Sequence, residues 1–113
     1  MRIRIPAMKV CREFHLTYEL RGAQKGVDVL TRYYGIRRMK IVVDGRRVGN
    51  GCEAEYFEGG YALFTKRGFK KINVLHELYH HVVEFYGLDM SEKKEERLAN
   101  VFVKKVVKRS IKF

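Results

Sequence analysis

Ile72-Asn73-Val74-Leu75-His76-Glu77-Leu78-Tyr79-His80-His81-Val82-Val83-Glu84-Phe85-Tyr86-Gly87 is the stretch that organises the rest of the chain. Val74, Leu75, Leu78, Val82, Phe85 and Tyr86 recur at helical spacing, so one stripe of a helix over Ile72 to Tyr86 is apolar, and Gly87 ends the pattern as a C-cap. Inside it lies the HExxH pattern of His76, Glu77 and His80. Four residues of helix rise about 6 Å and make nearly one turn, so both imidazoles project from one face and can grip one metal ion. This is the geometry that zinc requires. Glu77 lies about 100° round the helix from His76, outside the ligand face but within reach of a metal-bound water, which makes it the candidate general base. His81 points elsewhere round the helix, and Glu84, one turn beyond His80, reads as a supporting or surface group.

Downstream, Leu98, Ala99, Phe102, Val103, Val106 and Val107 form the apolar face of a second helix beginning near Asp89 or Ser91. Asp89-Met90-Ser91-Glu92 has capping-box spacing, and Glu92, Glu95 and Glu96 sit where the helix dipole favours negative charge. The β-branched runs Val101-Phe102-Val103 and Val106-Val107 keep a strand open as an alternative. A catalytic zinc takes three protein ligands and leaves a fourth position open. Glu96 is the candidate third ligand. It shares a helix face with Asn100, which is expected to hydrogen-bond a ligating histidine from outside the coordination sphere. Glu95 and Glu92 are its rivals.

Upstream, the period shortens. Met39-Lys40-Ile41-Val42-Val43 runs into Asp44-Gly45, a hairpin signal, and Asn50-Gly51 and Gly59-Gly60 bracket Cys52 to Phe57 and precede Tyr61 to Lys66. A small antiparallel β-meander is expected. Val27, Leu30, Thr31 and Tyr34 fall at helical spacing between Gly22 and Gly35, which predicts a backing helix over Ala23 to Tyr34. The first 20 residues show no clean period and receive no element. His15, without a placed partner, reads as structural.

These elements make one α+β domain over residues 1–113. With 46% hydrophobic residues and a single proline, Pro6, the chain is not intrinsically disordered. No stretch is long and apolar enough to span a bilayer, and the first residues lack the apolar block of a secretory signal, so a soluble, cytoplasmic protein is expected. Cys11 and Cys52 form neither a close metal pair nor a disulfide framework and read as small buried hydrophobes. The 24 Lys and Arg against 13 Asp and Glu give a net charge of +11, which leaves open a different class of function, a basic nucleic-acid-binding module with structural zinc or none. The scattered clusters, such as Arg37-Arg38 and Lys104-Lys105, equally suit a solvated surface. Heavy use of Lys, Arg and Glu with few side-chain amides resembles heat-adapted proteins.

Leu75-His76-Glu77-Leu78-Tyr79-His80-His81 followed by Glu96-Arg97-Leu98-Ala99-Asn100 resembles the gluzincin metallopeptidase pattern, in which an HExxH helix is joined by a glutamate from the next helix. The size and the meander are similar to those of the minigluzincins, small thermophile proteins resembling the catalytic domains of CAAX-type and stress-response membrane metallopeptidases. The likeness covers roughly Met39 to Val107. It implies one zinc ion on His76, His80 and Glu96, and hydrolysis of a peptide or protein substrate with Glu77 as base and then acid. It also implies a cleft whose upper rim is the strand Tyr61 to Thr65 or its neighbour Cys52 to Phe57. No membrane-spanning helix flanks the pattern, so membrane substrates are not implied. Minigluzincins are similar to zymogens, so Ser110-Ile111-Lys112-Phe113 is an expected inhibitory tail folded over the zinc. Tyr61, His81 and Tyr86 are the candidate donors to a developing oxyanion.

Overall fold

The computed structural model describes residues 3–44 and 53–111. The order is α1 (Met8–Arg21), α2 (Ala23–Tyr34), β1 (Lys40–Val43), β2 (Ala54–Phe57), β3 (Tyr61–Phe64), α3 (Lys71–Tyr86) and α4 (Glu92–Ile111). The class is α+β, as the pattern of periods implies. Among the described residues no helix is long and apolar enough to cross a membrane.

The sheet differs from a meander. Its order is β1-β3-β2, with β3 antiparallel to β2 and parallel to β1. The Gly59-Gly60 hairpin forms, both glycines holding positive φ. The expected hairpin at Asp44-Gly45 runs into residues outside the described ones; among those described, β1 pairs with β3 and not with β2. Asp-Gly is a local preference, whereas the central position goes to the strand that buries most. Ala62, Leu63 and Phe64 of β3 are buried, while β1 and β2 are only partly so. The outer edge of β1 is closed by a side chain. Gln24 of α2 donates through Nε2 to the Met39 carbonyl at 2.9 Å and accepts the Ile41 N–H at 3.0 Å. Asn50-Gly51 and Cys52 lie outside the described residues.

The unassigned N-terminal region is a helix, α1, which buries only Cys11 and Phe14 and leaves Leu16 and Leu20 exposed. That narrow contact explains its missing period. Cys11 is a buried free thiol, as expected, and burial pushes its pKa up. His15 has a partner after all, since Lys71 Nζ lies 2.8 Å from its Nδ1.

α3 is the hub. It packs on β2, β3, α2 and α4, and its Val74, Leu75, Leu78 and Val82 are fully buried. Gly87 stops it in the left-handed conformation, at φ 65°. α4 starts one residue after Ser91, whose Oγ accepts the Lys94 N–H at 3.2 Å. The capping pair is therefore Ser91 with Lys94, and the box spanning Asp89 to Glu92 is not used. The β-branched runs of α4 are helical, with Phe102 and Val106 against the core.

Candidate metal centre

α3 places His76 and His80 one turn apart with ring centroids 5.0 Å from each other. α4 crosses this face and brings Glu96 between them. Its carboxylate approaches both rings, Oε2 at 2.9 Å from His76 Nε2 and Oε1 at 2.9 Å from His80 Nε2. Donor atoms of His76, His80 and Glu96 all lie within 4.8 Å of one another. A tetrahedral zinc with bonds of about 2.0–2.1 Å separates its donors by about 3.3 Å; two nitrogens and one carboxylate within 4.8 Å of one another can therefore converge on such an ion once the side chains adjust, the two 2.9 Å contacts being to different oxygens of Glu96. The hydrogen bonds now joining the donors are the contacts that a cation replaces.

The rivals have other places. Glu95 Oε2 lies 2.5 Å from His80 Nδ1, on the side of the ring facing away from Glu96. A carboxylate there accepts a hydrogen bond from Nδ1–H, which keeps the ring proton on Nδ1 and leaves the Nε2 lone pair for a metal. This is the role the sequence pattern suggested for Asn100, which is exposed and, among the described residues, hydrogen-bonds neither histidine. Glu92 lines the cleft without joining the donor group.

Glu77 is 7% exposed and faces the same cleft. Among the described residues no group donates a hydrogen bond to it, and since no buried side-chain oxygen is left unpartnered, its carboxylate opens onto the cleft beside the donor triad. Burial raises its pKa. The positive fields of His76 and His80 oppose that shift, and Glu96 and Glu55 add to it.

The cleft has a volume of about 640 Å³. One wall is α3 with the start of α4, and the other is β2 through Ala54, Glu55 and Tyr56. Of the two strands offered as the upper rim, the cleft is lined by the one ending at Phe57, which among the described residues stands at the edge of the sheet. Five carboxylates, Glu55, Glu77, Glu92, Glu95 and Glu96, line this hollow in a chain of net charge +11. The local field therefore attracts cations against the sign of the whole chain.

Behind the rim, Tyr56 ties the strand to the helix. Its hydroxyl lies 2.9 Å from His81 Nδ1 and also hydrogen-bonds Glu84, whose other oxygen accepts the Gly59 N–H at 3.0 Å. His81 is wholly buried, donates from Nε2 to the Arg37 carbonyl at 2.5 Å, and has its pKa lowered by desolvation. His81 and Glu84 thus hold β2 against α3. None of the three expected oxyanion donors lines the cleft: His81 is engaged as described, Tyr86 donates to the Tyr34 carbonyl at 3.1 Å, and the Tyr61 ring stacks on Phe57.

Of the expected tail, Ser110 and Ile111 form the last turn of α4, with Ser110 Oγ on the Cys11 carbonyl, about 21 Å of helix away from Glu96. Lys112 and Phe113 lie outside the described residues.

No known family model, curated protein or solved structure matches this chain.

Proposed function

We propose that the chain is a zinc-dependent peptidase, with His76, His80 and Glu96 holding the metal and Glu77 moving the proton. The observation that carries this reading is the convergence of a two-nitrogen, one-oxygen donor set with a buried carboxylate that lacks a hydrogen-bond donor. Zinc, when bound, supplies Lewis acidity that polarises a substrate carbonyl and brings the pKa of water toward about 7.

The chain's own residues do the rest. The Glu77 carboxylate takes a proton from the attacking water and returns it to the departing amine, so one group is base and then acid. Glu95 fixes the His80 ring through Nδ1. β2 runs along one wall of the cleft, Ala54, Glu55 and Tyr56 lining it, so an extended peptide laid in the cleft would lie beside an extended strand, which supports a peptide substrate over a compact small molecule.

The test is hydrolysis of a mixed quenched-fluorescent peptide library by zinc-loaded protein. Glu77→Gln is expected to keep its zinc and to lose at least about a thousandfold in turnover. Equal rates for the two proteins, or no cleavage by a protein carrying one zinc at His76, His80 and Glu96, would overturn the reading.

A further inference from the structure

A second cavity, of about 680 Å³, shares Met90 with the metal cleft and lies between α4, Tyr79 of α3 and the extended N-terminal segment. Its apolar surface comes from Ile3 and Ile5 on one wall, Leu98 and Val101 on the other, and buried Tyr79 and Phe102 beneath. The N-terminal wall is fixed. Arg109 donates to the Pro6 carbonyl at 2.8 Å and to that of Ile5 at 3.3 Å, and the Tyr34 hydroxyl donates to the Arg4 carbonyl at 2.6 Å.

The charged residues lining this cavity are Arg4, Lys94, Arg97 and Lys105, all cationic and all exposed. None of the four forms an ion pair among the described residues. An apolar trough edged by four unpaired cations complements a molecule with a long apolar body and a negative head. The lining also argues against a peptide. Tyr79 carries the one side-chain oxygen of its lining, and the carbonyls of Arg4 and Ile5 each already accept a hydrogen bond from within the chain. A peptide laid there would bury N–H groups without partners, whereas an acyl chain has none to satisfy.

We infer that this cavity binds a free long-chain fatty-acid anion, its chain along Leu98, Val101 and Phe102 and its carboxylate among Arg97, Lys105, Lys94 and Arg4. The inference does not depend on the metal centre.

The experiment is calorimetric titration of the full chain, metal-free and in EDTA, with dodecanoate, 1-dodecanol and dodecyltrimethylammonium, each below its micelle concentration. Dodecanoate is expected to bind at least tenfold more tightly than either analogue. Arg97→Glu and Lys105→Glu, both on the exposed rim, should each weaken it tenfold or more. Val101→Trp, which fills the trough, should abolish binding with an unchanged circular dichroism spectrum, and His80→Ala should change the affinity less than twofold. Equal binding of the anionic and cationic chains, insensitivity to Arg97→Glu and Val101→Trp, or displacement of dodecanoate by an acidic apolar peptide would overturn the proposal. So would loss of binding in His80→Ala, since the carboxylate would then sit at the histidines.

Discussion

Glu95 holds His80 by the nitrogen that a metal does not need: Oε2 of the glutamate is 2.5 Å from Nδ1 of the ring, while Nε2 turns to Glu96. Two adjacent carboxylates on α4 thereby take different roles from one helical step of about 100°. Removing the orienting partner of a ligand typically costs 10- to 100-fold in metal affinity, whereas removing the ligand costs more. Glu95→Gln is expected to bind one zinc about 10–100-fold more weakly than the parent protein, and Glu96→Gln to bind it more weakly still. Competition against a chromophoric chelator reads the order. The reverse order would make Glu95 the ligand.

The rim above the cleft depends on Tyr56. Tyr56→Phe removes the hydroxyl between His81 and Glu84 and leaves His81 Nδ1 buried without its partner. The expected cost is about 1–3 kcal/mol of stability, seen as a lower midpoint in urea with an unchanged slope. An unchanged midpoint would show that the bridge adds nothing to the packing of β2 on α3.

Much of this was legible along the sequence and some was not. His76, Glu77, His80 and Glu96 could be named because the HExxH geometry is internal to one helix, and the position of a carboxylate on the next helix follows from periodicity. Glu95 on Nδ1, and Tyr56 and Glu55 in the opposite wall, depend on the crossing of α4 over α3 and on strand order, which no local spacing encodes. The parallel pairing of β1 was hidden for the same reason. Asp44-Gly45 announces a hairpin locally, but the burial of Ala62, Leu63 and Phe64 decides which strand is central. α1 was unreadable because it presents Leu16 and Leu20 to the outside, which breaks the stripe.

Close packing of α1 on α2 rests on the missing side chain of Gly26. A Cβ there would lie 2.9 Å from Tyr18 Cβ and 3.0 Å from its Cα. Alanine gains about 1 kcal/mol over glycine in helix propensity, while overpacking costs about 1–3 kcal/mol. Gly26→Ala should therefore lose about 1 kcal/mol of stability in equilibrium unfolding, against the usual effect of this substitution in a helix. A gain in stability would mean that the two helices separate freely.

Acid sensitivity should centre on Asp28. Desolvation pushes its pKa up, but hydrogen bonds from Arg38 and Gln24 and the charges of Arg38 and Lys25 outweigh it, so the carboxyl lies below its ordinary value. A carboxyl depressed in the folded state contributes stability that is present above its unfolded pKa and disappears as pH falls through the folded one. Urea midpoints of the parent protein should fall below about pH 4. Asp28→Asn should start lower at pH 6 and lose less on acidification, and parallel curves for the two proteins would contradict the assignment.

The proposed chemistry depends on one cation held by side chains of two consecutive helices. Anomalous diffraction at the zinc edge from crystals of zinc-loaded protein locates such an ion. A single strong peak is expected about 2.0–2.2 Å from His76 Nε2, His80 Nε2 and a Glu96 oxygen, with Glu95 still on His80 Nδ1. No peak between the two histidines, or one ligated without Glu96, would contradict it.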